Sequence, residues 1–291
     1  MTGRKTVTLP TAPNRRQAMA HGAAALVATP SVIRSGFGQG ATVNIGVIVP
    51  LSGANAQFGV NSRNGIELVA DEINATGGIK ALGGIKINLA LSDATSNPHT
   101  AAVAAQRLIA EHEVTAVLGA FASSLTLAIS EVTARARIPM LTMAFADQIT
   151  ARGYKGVFQM TAPASVIGRA QFDYTLEIAE AAGRKIRKVA ILYEDTAYGT
   201  AQSAGLRSAA ETAKVETVMD EAYPLGITNT TPLVDKLRVS GAQAIFPVSY
   251  LNDSLFIIRS MRRPDLGVAR RRRDAARDKC GRVLCTRRHS P

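Results

Sequence analysis

Cysteine is nearly absent. The 291-residue chain has two, Cys280 and Cys285, both close to its C-terminus. The body is therefore without a disulfide and without thiol chemistry. The Cys-x4-Cys spacing lacks a second ligand pair, with only His289 nearby, and does not make a zinc site. Histidine is scarce: His21, His99, His112 and His289 are all there is. None falls where a strand is predicted to end, so a Ser–His–Asp triad has no base. No apolar run approaches the ~18–20 residues that cross a bilayer. No Gly-x-Gly-x-x-Gly follows the first predicted strand, where Ser52-Gly53 runs into Ala54-Asn55, and there is no Gly-Lys-Ser/Thr phosphate loop. Asp93 follows the second predicted strand with no second carboxylate to complete an acid–base pair, and reads as a cap or turn residue. These absences argue against an enzyme, and no cofactor is expected.

What is present is unevenly charged. The formal charge of +12 suggests a nucleic-acid partner at first sight. Residues 1–40 hold five Lys/Arg and no acid, and 262–291 hold eleven Lys/Arg and three Asp. The middle, 41–261, holds 18 basic and 19 acidic residues and is near neutral. The body therefore does not read as a nucleic-acid domain. Arg15-Arg16 precede an Ala-rich, weakly apolar stretch, Ala18 to Pro30, with small residues at Ser35-Gly36 and Gly38. That order is the pattern of an export signal, and the paired arginines resemble the Tat type. Residues 1–40 are expected to direct the protein out of the cytoplasm as a soluble chain.

The body alternates two hydrophobic periods. Strands are predicted at Thr42–Val49, Ile85–Leu91, Val114–Leu118 and Ile138–Thr142, with helices at Asn61–Asn74, Pro98–Glu111 and Ser123–Arg135 between them. The pattern resets after about residue 160. Strands at Lys188–Tyr193, Val215–Ala222 and Ala244–Val248 alternate with helices at Ala164–Ala182, Thr200–Ala213, Thr231–Ser240 and Ser254–Arg262. Alternation of this kind gives βαβ units and parallel sheets. The expected fold is α/β, with two doubly wound parallel-sheet lobes at 41–155 and 156–264, and Gly153–Thr161 as the crossing.

Open parallel sheets bind ligands outside the carboxyl ends of their strands. The candidate segments are therefore Leu51–Phe58, Gly119–Ser124, Met143–Ala146, Glu194–Tyr198 and Ser249–Asp253. They offer hydroxyls and rings: Ser52, Ser123, Ser124, Phe58, Phe145, Tyr198 and Tyr250. Small residues among them, such as Gly53, Gly119 and Ala144, allow close backbone approach. Ser123-Ser124 sits where a helix begins, and free N–H groups there favour an anion. Serines in that place also cap helices, and one residue can serve each role.

The residues also resemble a known family. Ile45-Gly46-Val47-Ile48-Val49-Pro50-Leu51-Ser52-Gly53, then Gln57-Phe58-Gly59, then Ile73-Asn74-Ala75-Thr76-Gly77-Gly78-Ile79 is similar to the opening of the leucine/isoleucine/valine-binding protein family. The likeness continues through Ser92-Asp93, Gly119-Ala120-Phe121-Ala122-Ser123-Ser124 and Ile138-Pro139-Met140, and reaches Tyr193-Glu194-Asp195 with Tyr198-Gly199. The resemblance implies the type I periplasmic-binding-protein fold of ABC-importer solute receptors. It implies two lobes closing over a small-molecule ligand, and a membrane permease as partner. Ser123 and Ala144 would hold a ligand carboxylate. Phe58 and Tyr198 would line the side-chain pocket, with Tyr250 near a pocket tyrosine. Phe145 stands where the family often has threonine, which leaves a branched-chain amino acid or a related acid or amide open.

The resemblance ends at about Pro264. Family chains continue beyond it, so the second lobe is expected to be incomplete. The stretch 265–291 has no strand or helix period and reads as a foreign, out-of-frame tail, with a basic interaction tail as the alternative. Loss of covering helices would expose apolar faces at ~25 cal/mol per Å² and leave the product unstable or inactive. The alternative to a transport receptor is a ligand-sensing domain of a receptor or regulator on the same fold.

Overall fold

A computed structural model describes residues 42–262. The expected leader at 1–40 and the tail at 265–291, with both cysteines and His289, lie outside the described residues. The order within them is β1 (Thr42–Val49), α1 (Ala56–Ala75), one 3-10 turn (Lys80–Leu82), β2 (Lys86–Asp93), α2 (Pro98–His112), β3 (Ala116–Gly119), α3 (Ser123–Ala136) and β4 (Met140–Thr142). Then come α4 (Gln148–Ala151), β5 (Val157–Gln159), α5 (Ala164–Ala181), β6 (Lys188–Glu194), α6 (Ala197–Thr212), β7 (Glu216–Tyr223), α7 (Thr231–Val239), β8 (Ala244–Val248) and α8 (Leu251–Arg262).

The strands form two sheets, ordered β2-β1-β3-β4-β5 and β7-β6-β8. All ladders between them are parallel. The central strands explain themselves. Val47, Ile48 and Val49 in β1, and Val189 to Leu192 in β6, are buried on both faces, as strands covered by helices on two sides must be. Helices α5 and α6 cover one face of the second sheet, packing Phe172, Leu206 and Ala209 against Val189, Ile191 and Phe246. Their close crossing needs glycine. A Cβ at Gly168 would stand 2.2 Å from the Gln202 carbonyl oxygen, and one at Gly205 2.0 Å from that of Ser165.

Helix ends follow local chemistry. Asn97 Oδ1 accepts from the N–H groups of His99 and Thr100, with Pro98 at the first turn of α2. Helix α1 stops where Gly78 N–H returns to the Ile73 carbonyl at 2.8 Å, with Gly77 and Gly78 both at positive φ.

Two short elements, α4 and β5, are absent from the sequence expectation. Four and three residues are too few to show a period. Strand β5 pairs with β4, so the first sheet extends to Gln159 and the crossing narrows to 160–163. This is later than the boundary expected at 155. Helices α1, α6 and α8 begin before their apolar periodicity does. Their first turns carry Phe58, which stacks on Phe121 of its own lobe, and Tyr198 and Asn252, which reach Phe145 and Ala54 of the other.

The lobes touch beyond the crossing. Ala144, Ala146 and Ile149 of the first pack with Ala164 and Ala201 of the second. Asp147 accepts from the Ser165 N–H at 3.1 Å and from its hydroxyl. Asn252 Nδ2 donates to the Ala54 carbonyl at 3.3 Å.

Candidate ligand-binding cleft

In each sheet the strand order reverses beside the first strand, between β1 and β3 and between β6 and β8. Such switch points open a crevice at the carboxyl ends of the strands. The segments following these four strands meet across the gap. Each lobe sends in an aromatic residue followed by glycine at the start of the helix after its first inner strand, β1 or β6: Phe58-Gly59 and Tyr198-Gly199. A Cβ at Gly59 would lie 1.8 Å from the Pro50 carbonyl oxygen, and one at Gly199 2.0 Å from that of Glu194. Glycine thus lets the helix press onto the end of its strand, which fixes where the ring stands.

Five rings run across the crevice. Phe58 stacks on Phe121 with centroids 4.4 Å apart and planes 4° from parallel. Phe121 meets Tyr250 at 5.6 Å, Tyr250 meets Tyr198 at 5.4 Å, and Tyr198 meets Phe145 at 6.0 Å. Phe58, Phe121 and Phe145 belong to the first lobe, Tyr198 and Tyr250 to the second. Pair geometries of this kind are worth ~0.5–1.5 kcal/mol beyond their burial.

Helix α3 points its N-terminus at this wall. Its N-cap is Ala122, which offers no side-chain acceptor. The serines do not cap it. The Ser123 hydroxyl oxygen, buried, accepts from the N–H groups of Phe145 at 3.2 Å and Ala146 at 3.1 Å. It ties the β4 loop to α3 and keeps its own proton to donate. The first-turn N–H groups of Ser123, Ser124 and Leu125 have no intrahelical partner by geometry. The Ser123 N–H meets the Tyr250 phenol oxygen from the other lobe.

The carbonyls around this point are taken. Ala120 O accepts from the hydroxyls of Thr126 and Thr142. Ala122 O accepts from the Thr126 N–H and shares the single Thr126 hydroxyl proton with Ala120 O. Ala144 O accepts from Gln159 Nε2 and the Thr161 hydroxyl, each at 2.9 Å, while the Ala144 N–H donates to Thr142 Oγ1 at 3.1 Å. Among the described residues, the Ala144 carbonyl at the α3 end of the cleft is fully engaged, while the Ser124 N–H makes no bond.

The second lobe supplies the opposite chemistry. Glu194 ends β6 with no solvent exposure. Its Oε2 accepts from the Tyr250 N–H at 3.4 Å, and its Oε1 has no hydrogen-bond partner. Burial pushes its carboxyl up to about 8, against the Tyr250 N–H and with help from Asp253. Tyr198 is raised to about 12 by burial and by Glu194. Tyr223 and Tyr250 are raised chiefly by burial. Asp253 accepts from the Gly226 N–H at 2.8 Å, and Tyr223 donates to Ser249.

The model of the periplasmic binding protein family matches residues 42–271. The chain belongs to that family. This periplasmic binding protein is 36% identical over 222 residues to the Leu/Ile/Val-binding protein homolog 8 of Brucella abortus (strain 2308), covering 75% of this chain and 54% of that one. It spans about half the length of the curated relatives it matches. Among solved structures, it resembles the branched-chain amino acid substrate-binding protein LivJ of Streptococcus pneumoniae, in complex with isoleucine. The TM-score is 0.67 at 28% identity, over 76% of this chain and 61% of that one. A solute-binding protein of an ABC transporter from Rhodopseudomonas palustris BisB5, in complex with 3,4-dihydroxybenzoic acid, shares the fold. Its TM-score is 0.66 at 23% identity, over 75% and 57%. The family and the two-lobe α/β fold are those the sequence motifs pointed to.

Of the residues singled out in the sequence, this binding protein brings Phe58, Ser123, Phe145, Tyr198 and Tyr250 to one cleft, with Ser124 beside them on the first turn of α3. Ala144 is at the cleft but wholly buried, with its N–H and carbonyl bonded to Thr142, Gln159 and Thr161. Ser52 is exposed and bonds Asp93, whose Oδ1 also takes the N–H groups of Leu51 and Thr95 at 2.7 Å each. Ser52 and Asp93 shape the loop after β1, as the reading of Asp93 as a turn residue implied. Phe121 and Glu194 were passed over. Both lie inside strand-end segments, where position was the only signal. Among the described residues no cluster of metal-ligating side chains occurs, and no helix is long and apolar enough to cross a membrane.

Proposed function

We propose that this chain is the solute-binding component of an ABC importer, exported to the periplasm, which takes a small carboxylate between its two lobes and presents it to a membrane permease. The observation that carries the reading is the α3 N-terminus. Its first-turn N–H groups, of which that of Ser123 meets the Tyr250 phenol oxygen, and the free proton of Ser123 lie beside an aromatic wall built from both lobes. A carboxylate there displaces the Tyr250 phenol oxygen from the Ser123 N–H and accepts from the Ser123 and Ser124 N–H groups and the Ser123 hydroxyl. The solute's body lies against Phe58, Phe121, Phe145, Tyr198 and Tyr250. Closure removes it from water, which strengthens each of these bonds.

Family membership supports the receptor role, and the isoleucine held by the Streptococcus pneumoniae neighbour is a carboxylate of suitable size. The Ala144 backbone is internally bonded, so the carboxylate contacts are assigned to Ser123 and Ser124 instead. The twin-arginine leader supports export. Isothermal titration of the full chain against small carboxylates, amides and amines tests the reading. Saturable binding of carboxylates, lost in parent amides and amines, is expected. Equal binding of the amides would overturn the carboxylate assignment.

A further inference from the structure

We infer that the outer face of helix α5 is a self-association surface, on which a second copy of this chain packs its own α5 antiparallel about a two-fold axis. The surface lies on the second lobe, and its role does not depend on the solute the cleft takes.

Three observations lead to it. The first is an unpartnered apolar row. Helix α5 turns Ala164, Gly168 and Phe172 inward, every fourth residue. Two places on, Val166, Ala170, Tyr174 and Ile178 repeat the same spacing on the opposite side. Val166, Tyr174 and Ile178 are 53%, 63% and 70% exposed. Helix α1, by contrast, exposes Leu68 and Val69, neighbours in sequence that form no row along the helix. A continuous exposed apolar patch marks an interaction site. A ridge at every fourth residue is what a second helix receives in its grooves.

The second observation is that this row complements itself when reversed. With the two-fold axis level with Phe172, Val166 faces the partner's Ile178 and Ala170 faces the partner's Tyr174. Each ring then meets the smallest residue of the row, whereas a parallel pair would set Tyr174 against the partner's Tyr174. The third observation is charge. Arg169, Asp173 and Glu177 are exposed and lie along one flank of the row. Asp173 and Glu177 stand one turn apart, a like-charge spacing that disfavours the helix on its own. Arg169 gives one of its five donors to Ser208 Oγ at 2.8 Å and keeps the others. The same reversal sets Arg169 between the partner's Asp173 and Glu177, twice by symmetry, and offsets the acidic pair in each copy. A single helix pair buries less than the ~1,200 Å² of a stable interface, so the association is weak.

Sedimentation equilibrium of the full chain between about 5 and about 500 µM, a window suited to an interface of this size, tests this, with each variant checked for folding by circular dichroism. The wild type is expected to be monomeric at the low end and dimeric at the high end. Tyr174→Lys, which puts a charge in the middle of the row, is expected to weaken the dimer at least about tenfold. Arg169→Glu is expected to weaken it about tenfold by setting like charges together. Arg169→Glu combined with Asp173→Arg and Glu177→Arg is expected to restore it to within about threefold of wild type. A wild type that stays monomeric at the high end would overturn the second copy as the occupant of this face. Association unchanged in Tyr174→Lys would place the contact elsewhere on the chain and overturn the role of α5. A triple variant no tighter than Arg169→Glu alone would overturn the antiparallel pairing.

Discussion

The two lobes share a winding and differ in their ends. Each sheet begins with the same order, β2-β1-β3 and β7-β6-β8. Each presses a glycine of the helix that follows β1 or β6 onto the carbonyl at the end of that strand. The carboxylates near those strand ends have opposite fates. Asp93 in the first lobe is half-buried. Burial pulls its pKa upward, but the Ser52 hydroxyl and the N–H groups of Thr95, Leu51 and Ser52 together outweigh this and hold it low. Glu194 in the second lobe is fully buried with one oxygen unpaired, and is pushed up. The first lobe thus uses its polar groups to hold its loops still. The second leaves an unpaired acid at the crevice.

The largest expected effect breaks this comparison at Glu194. Folding takes up a proton there, because the folded carboxyl titrates at about 8 rather than near 4.5. Its stabilising contribution is complete below about 4.5, declines as pH rises by at most ~1.4 kcal/mol per pH unit, and is gone above about 8. Urea melts at pH 5, 6.5 and 8 should show the wild type losing ground to Glu194→Gln as pH rises, and parallel curves would remove the asymmetry. Next comes Ser123→Ala, which leaves the buried N–H groups of Phe145 and Ala146 unpaired. A loss of about 3 kcal/mol is expected by thermal melting, at ~1–3 kcal/mol per group. Asp93 has the opposite pH dependence to Glu194. Its contribution is present above about 3.8 and lost as pH falls through its lower folded value. Asp93→Asn should cost about 1.5 kcal/mol at pH 7 and flatten the acid limb of the stability curve.

The shared feature can be tested in both lobes at once. Gly59→Ala and Gly199→Ala each place a methyl against a strand-end carbonyl and are expected to lower stability by ~1–3 kcal/mol. Similar losses in melting experiments sharpen the likeness between lobes, and a neutral result in one breaks it. The smallest effect belongs to Ser124→Ala. Its hydroxyl makes no bond among those described, so stability should move by less than about 0.5 kcal/mol, in contrast to its neighbour Ser123.

Most of the fold was legible in the chain because a buried parallel strand and an amphipathic helix write different periods. Lys188–Glu194 and Pro98–His112 are clear cases of each. Strand β5 and helix α4 were not legible, since a period needs more residues than they have. The site was legible to the level of segments. Strand ends can be counted, so Phe58, Ser123 and Tyr198 could be assigned to segments that the fold brings together. What could not be read is which groups are already satisfied. Nothing local shows that the Ala144 backbone is bonded to Thr142, Gln159 and Thr161, or that Glu194 Oε1 is left without a partner. Phe121 faces Tyr250 across more than a hundred positions of sequence, and no periodicity reports a contact of that range.

The central claim is that a carboxylate is held at the start of α3 while the second lobe closes on the solute. The most direct measurement is a backbone amide NMR titration of the ¹⁵N-labelled full chain with a small carboxylate. Saturable downfield shifts of the Ser123 and Ser124 amides, tracking with shifts at Glu194, Tyr198 and Tyr250 on one binding isotherm, are the predicted result. Saturation with the Ser123 and Ser124 amides unmoved would contradict the account.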